Sequence, residues 1–540
     1  MVHEERANDR IEDSRLIEWL IGNYTKFSFY KIDKNNVYMR YDRKAALDGA
    51  IGALEPGKSL HLQREKLKNV WKELLALAII YLKSTDERES HHDDGDYGID
   101  ELNTFFDQYC EFESMLYGSS EYYRDHVSHV FKVFLLGEYL VRDYLQKIVG
   151  SGDNKVNIAF SNIDVIDDKL KVKVNELEGK IKENVKPEDI YKESDQEYTD
   201  KYKITPEEKE AMWCIVSLTH DLGYPMETVH RIHEQIRKML DTFDVDVSYL
   251  LSHQSQVFND SIIKLISSNI EDHHLNKGDI VDGEKSSKVS FTTHVQAKYY
   301  SKFSRELEKR DHGIESCIIL MKTLVYFLET DLSVDQRKNM DILDARHFLI
   351  RQRILRAIAS HNSAYIYNLK MDLSFLLRII DEMQEWGRPK LSDLFLTSPQ
   401  EYSLSINWFE ADRIEYTMRI EKKPLELDEE DVHDFIRKYF KRKIDNFIKI
   451  LRSAVDGDHR KLTLIFNVVD SIEVSTKEKP KHEYIYKFEH PNPKDIKLEL
   501  TVHQNGTKIN SKSISLINLN SEKWKDFLDE VDELPEVSHG

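Results

Sequence analysis

The stretch Ser217-Leu218-Thr219-His220-Asp221-Leu222-Gly223-Tyr224-Pro225 closes an apolar helical run. Upstream, Met212, Ile215, Val216 and Leu218 supply the buried face of a helix that begins near Pro206-Glu207-Glu208. Gly223 and Pro225 then stop it. An imidazole and a carboxylate side by side at such a helix end can share one divalent ion, and burial makes both costly to leave unpaired. Alone, the pair reads more readily as a helix-terminal histidine beside a surface aspartate.

Further histidines and aspartates follow in apolar helical surroundings. In Tyr122-Tyr123-Arg124-Asp125-His126-Val127-Ser128-His129-Val130-Phe131, His126 shares a face with Val130, which favours it over His129 as a ligand. In Arg310-Asp311-His312-Gly313, Asp311 can cap a helix and place His312 in its first turn, where the positive helix end disfavours imidazolium. His361 ends the periodic run Ile354-Leu355-Arg356-Ala357-Ile358-Ala359-Ser360 much as His220 ends its own. Asp381 follows Leu376-Leu377-Arg378-Ile379-Ile380, so a carboxylate is expected beside a buried face, for which a metal is a natural partner. The rival Asp412, in Glu410-Ala411-Asp412-Arg413, sits between alternating stretches that read as strands.

The ordered set His126, His220-Asp221, His312, His361 and Asp381 resembles the HD-domain metal-dependent phosphohydrolase superfamily over roughly residues 110 to 390. The resemblance implies a helical bundle in which distant segments converge on one or two divalent ions (Mg, Mn, Co, Fe, Ni or Zn). His126, His220, Asp221, His361 and Asp381 would be the ligands. Asp221 and His312 would be catalytic, with His312 either a further ligand or a general acid and phosphate contact. Arg124 and Arg388 become candidate phosphate contacts, because a guanidinium fork matches phosphate oxygens. His230 and His233, three apart on the helix after Pro225, become candidate substrate contacts.

The implied activity is nucleotide phosphohydrolysis. Deoxynucleoside triphosphates are favoured because the extended region from His220 to His230, with the segment from His312 to Ser316, is similar to deoxynucleotide triphosphohydrolases. His361 departs from that group and points to phosphodiesterases acting on cyclic nucleotides or signalling oligonucleotides. A non-catalytic nucleotide-binding regulatory module is the reading from a different class.

Composition bounds the rest. The chain has 540 residues with 40% hydrophobic and 10% aromatic content, enough for a real core and for two or three domains. Its 77 basic and 97 acidic residues give a net charge of −20, which argues against broad nucleic-acid binding. Cys110, Cys214 and Cys317 stand singly in apolar surroundings and read as core thiols of a reducing compartment. No apolar run reaches the roughly 18 residues of a membrane span, and no signal-peptide pattern opens the chain, so a cytoplasmic, soluble protein is expected.

The fold class expected is mainly α. A helical flank at 1–109 precedes an HD-type domain at 110–399 that carries a polar insertion at 150–205. The loop with His91 and His92 reads as exposed. A second polar stretch, from Asn276 to Lys288, reads as a loop bordering the site. A smaller α+β domain at 400–540 has alternating strands and a helix carrying Val432, Phe435, Ile436, Tyr439, Phe440, Ile444, Phe447, Ile448 and Leu451. Regulatory binding of a nucleotide effector and homo-oligomerisation are open roles for it.

Overall fold

The computed structural model describes residues 10–30, 37–58, 60–85, 98–117, 125–140, 204–241, 243, 256–274, 280–281, 284–285, 289–328, 342–363, 373–384, 402–409, 413–420, 443, 446–447, 450, 462–470, 482–492, 495–504 and 507–517. The chain is mainly helical with a sheet region. In order run β1 (Arg10–Ile11), α1 (Asp13–Asn23), α2 (Val37–Gly52), α3 (Arg64–Ser84), α4 (Ile99–Tyr117) and α5 (His126–Tyr139). Then come α6 (Pro206–Thr219), α7 (Tyr224–Asp241), α8 (Gln256–Ser267), β2 (Ser268–His274), β3 (Ile280–Val281), β4 (Glu284–Lys285), β5 (Val289–Val295), α9 (Ala297–Glu308), α10 (His312–Thr323) and α11 (Val325–Leu328). The last elements are α12 (Ile342–Ser360), α13 (Leu373–Met383), β6 (Tyr402–Phe409), β7 (Arg413–Ile420), β8 (Leu462–Asp470), β9 (His482–Asn492), β10 (Asp495–Gln504) and β11 (Thr507–Ile517).

Helix α6 is the axis of the helical part. Thr205 and Glu208 form a reciprocal capping box with Pro206 in the first turn, a start worth about 1 kcal/mol. From Glu208 to Thr219 every residue is buried, as expected for a helix packed on all sides. Helices α3, α5, α12 and α13 pack around it. Gly137 of α5 allows that approach, since a Cβ there would fall 2.3 Å from the Trp213 ring. Trp71 of α3 donates from Nε1 to the Leu218 carbonyl at 2.9 Å, fixing the end of α6 just before the His-Asp pair. Two charges buried among these helices are matched: Lys132 lies 3.1 Å from Asp13, and Arg346 pairs with Glu208.

The larger sheet has the order β1-β6-β7-β8-β9-β10-β11 and is antiparallel except between β7 and β8. A parallel pair needs a crossover connection. Lys443, Asn446, Phe447 and Ile450, between these strands, lie on helical backbone, in keeping with the helix expected there. The expected strands at 403–420, 462–466, 484–486 and 496–500 fall within β6 to β10. Strand β1 pairs Arg10 with Ser405 and Ile11 with Leu404, so the amino-terminal flank supplies an edge of the carboxy-terminal sheet.

The stretch from Asn276 to Lys288, expected as a loop, includes β3 and β4 and is framed by the antiparallel pair β2 and β5. Residues 150–203 of the expected insertion, and His91 and His92, lie outside the described residues. No helix among the described residues is long and apolar enough to cross a membrane.

Cys110, Cys214 and Cys317 are all buried, as expected of core thiols. Burial pushes the Cys110 thiol up to about 12, and raises Cys214 and Cys317 well above the usual range. The native chain is therefore expected to resist iodoacetamide at about pH 8 and to react at all three positions in denaturant. Rapid alkylation of the native protein would contradict this packing.

Candidate metal centre

Two helix ends and three helices bring the ionisable residues together. His220 and Asp221 leave the end of α6. His129 comes from the first turns of α5, His312 opens α10, His361 follows α12, and Asp381 lies in the last turn of α13. Each placement has a local cause. Asp125 caps α5, accepting from the Ser128 amide at 3.2 Å and its hydroxyl at 2.8 Å. Asp311 caps α10 through the Gly313 amide at 3.0 Å, as its sequence position predicts.

The His-Asp turn and α10 are clasped by Ser316, whose Oγ donates to the His220 carbonyl at 2.7 Å and accepts from the Gly223 amide at 2.8 Å. Gly223 is the close-approach point. A Cβ there would lie 2.2 Å from the His312 carbonyl and 2.6 Å from the Glu315 Cβ. Gly223→Ala should therefore push α10 off the His-Asp turn, costing about 1–3 kcal/mol in overpacking. Thermal unfolding measures it, and a Tm unchanged from the native chain would contradict the contact.

The geometry around Asp221 is shared between two groups. His129, His220 and Asp221 form one set of close ligand atoms, and Asp221, His312 and His361 form the other. Asp221 Oδ2 lies 3.8 Å from His129 Nε2 and 3.6 Å from His220 Nε2. Its Oδ1 lies 3.3 Å from both His312 Nε2 and His361 Nε2. Asp381 Oδ1 adds to the first set, 2.8 Å from His129 Nε2 and 4.0 Å from His220 Nε2. Ligands at about 2.1 Å from a common ion stand about 3.0–3.4 Å apart when adjacent, which is close to these edges.

Hydrogen bonding on the far side of each ring sets where its lone pair points. His220 Nδ1 donates to the Ser217 carbonyl at 2.8 Å, and His361 Nδ1 donates to the Ile358 carbonyl at 2.7 Å. His129 Nδ1 donates to Gln384 Oε1, and His312 Nδ1 donates to Glu227 Oε2 at 2.5 Å. All four Nε2 atoms thus turn inward toward two carboxylates. His220 Nε2 is buried without a hydrogen-bond partner, and His312 Nε2 and His361 Nε2 face each other at 3.0 Å. Lone pairs directed at one another and at carboxylates repel unless a cation or proton lies between them, and outer oxygen partners of this kind are how proteins orient metal-binding histidines. The donor set of imidazoles and carboxylates fits a divalent ion.

The protonation directions reflect that crowding. Burial lowers the His220 pKa to about 4 against the opposing pull of Asp221, so its imidazole stays neutral. Burial opposes charge on His312 too, but there Asp221 and Glu227 outweigh it and raise the pKa well above the usual value. Burial would lift Asp221 and Asp381. For Asp221 the surrounding His220, His312 and His361 outweigh burial and hold it well below the carboxylate range. His129 and His220 do the same for Asp381. The side chain of Asp381 is 26% exposed and that of His220 is 0%, so the cluster meets solvent on the Asp381 side.

The structure corrects one preference from the sequence. His129, not His126, joins the cluster. The first turn of α5 is taken up by Glu113 of α4, which accepts from the His126 amide at 2.6 Å and the Val127 amide at 3.3 Å and lies 3.1 Å from His126 Nδ1. The His126 ring stacks on Tyr224 at 3.8 Å between centroids. Helix α7 brings Glu227 to His312, whereas His230 and His233 are half-buried and not among the groups gathered on Asp221. Arg124, Arg388 and Asp412 lie outside the described residues. His220, Asp221, His312, His361 and Asp381 are brought together.

Glu113, Glu227 and Gln384 escaped sequence reasoning. Glu227, six residues past Asp221 on an amphipathic helix, and Gln384, three past Asp381, were the signals available. A scan against protein-family models, a search of curated proteins and a search of solved structures each gave no match.

Proposed function

We propose that this chain is a metal-dependent phosphohydrolase acting on nucleotides, in which Asp221 would serve both groups of ligand atoms. The observation that carries the reading is the inward turn of four Nε2 atoms, each fixed by an oxygen on its Nδ1 side. His129, His220, Asp221 and Asp381 would hold one ion, and Asp221, His312 and His361 the other. Divalent ions bound there would acidify a water and neutralise charge on the phosphoryl oxygens. The protein's own part is to hold the imidazoles rigidly through their Nδ1 partners and to present them beside the Asp381 edge. The His126–Tyr224 stack forms a flat aromatic wall near His312, whose ring centroid lies 5.8 Å from that of Tyr224.

The place of His361 in the second set favours a phosphodiester, in a cyclic nucleotide or signalling oligonucleotide, over a deoxynucleoside triphosphate. A one-ion version also has support, because Glu227 and Asp221 favour a protonated His312 that can donate to a leaving oxygen. The full chain, incubated with Mg2+, Mn2+ or Co2+ and separate pools of these substrates, tests the reading. Opening of a phosphodiester is expected. Release of intact triphosphate from a deoxynucleotide would restore the triphosphohydrolase reading, and binding without product under every metal would overturn catalysis.

A further inference from the structure

Helix α13 carries Asp381 in its last turn and is followed at once by Gln384, the group that orients His129. Its end has neither a glycine nor a basic residue of its own in the last turn. Helix ends leave carbonyls without intrahelical partners, and a cation placed there is favoured by the helix dipole. Here the cation comes from the carboxy-terminal part. Lys443, with its side chain 2% exposed, donates to the Glu382 carbonyl and to Glu382 Oε2, the latter at 2.7 Å. Asn446 Nδ2 donates to Glu382 Oε1 at 2.6 Å. Both oxygens of the Glu382 side chain and its main-chain carbonyl are gripped from one place.

The same helical stripe reaches the sheet. Lys443, Asn446, Phe447 and Ile450 are spaced as one face of a helix, and Phe447 meets Tyr416 of β7 at 6.2 Å and Phe488 of β9 at 5.9 Å between ring centroids. One end of the stripe is seated on the sheet. The other holds the residue between a cluster carboxylate and the glutamine behind a cluster histidine.

We propose that Lys443 and Asn446 are positioning residues for the metal centre, acting through Glu382 to fix Asp381 and Gln384, so that the carboxy-terminal sheet unit is a working part of the site. The ammonium satisfies a main-chain carbonyl in the last turn of α13, and the carboxylate of Glu382 makes the grip charge-assisted. Without it the last turn of α13 frays, and Asp381 and the Gln384–His129 bond lose their fixed positions.

Hydrogen exchange on the full chain tests the clamp without any metal. In Lys443→Met, exchange over residues 373–384 should accelerate about tenfold or more, while β8 to β10 exchange as in the native chain, and Lys443→Arg should restore protection. Asn446→Ala should give a smaller change in the same peptide, which keeps the question decidable if Lys443→Met does not fold. Unchanged exchange over 373–384 in both variants would overturn the proposal, as would an equal loss of protection throughout the sheet.

A second arm rests on the metal reading: Co2+ affinity should fall about tenfold in Lys443→Met and recover in Lys443→Arg. Equal affinity in native chain and Lys443→Met would overturn the positioning role. A native chain that binds no Co2+ would overturn the metal reading instead, leaving the exchange result to decide the clamp.

Discussion

Asp221→Asn is expected to empty the centre of metal and to lower phosphohydrolase activity by at least about a thousandfold. Among the described residues no other side chain belongs to both groups, with one oxygen toward His129 and His220 and the other toward His312 and His361. Asparagine keeps the volume and one oxygen but removes the charge. Among the described residues Asp381 would then be the one carboxylate left to the four inward Nε2 atoms, and the oxygen shared by the two groups would lose its charge. Metal content after dialysis and turnover with Mn2+ are the measurements. Metal retained at the native level with activity intact would show that Asp221 is a hydrogen-bonding partner of the histidines and not a ligand.

The second large effect separates two histidines three residues apart. His129→Ala should lower metal content and reduce activity at least about a hundredfold, because its Nε2 stands 2.8 Å from Asp381 and its Nδ1 is held by Gln384. His126→Ala should leave metal content as in the native chain. Its amide bond to Glu113 survives the change, while the ring contact with Glu113, the stack on Tyr224 and the edge contact with His129 are lost, costing about 1 kcal/mol. Should His126→Ala lose the metal while His129→Ala keeps it, the arrangement of α5 is wrong and the original sequence preference right.

The sequence favoured His126, whereas His129 is the one gathered on Asp221, and the reason is local. Helical spacing places His126 and His129 on neighbouring parts of one surface, and either can face a bundle interior. The choice is made by Glu113, a buried carboxylate of α4 that satisfies the amides of the first turn of α5 and takes His126 with them. That contact joins two consecutive helices through one side chain and leaves no periodic trace in either. The helix ends at His220, Asp311 and His361 were legible, because capping residues and apolar periodicity are local signals. So were the alternating strands at 403–420.

Partners acting at long range were not legible. Glu227 behind His312, Gln384 behind His129 and the Ser316 clasp on the His-Asp turn depend on how α7, α13 and α10 pack. The edge pairing of Arg10 and Ile11 with β6 and the parallel pairing of β7 with β8 are likewise set by topology, which alternation within one strand does not encode.

The proposed two-ion site, with Asp221 shared between its halves, is tested most directly by X-ray absorption of the full chain loaded with Co2+. The expected spectrum has imidazole scattering in the shell around each ion and a metal–metal vector of about 3.5–4 Å. A chain that retains no Co2+ after dialysis, or one whose bound Co2+ lacks either the imidazole scattering or the metal–metal vector, would contradict it.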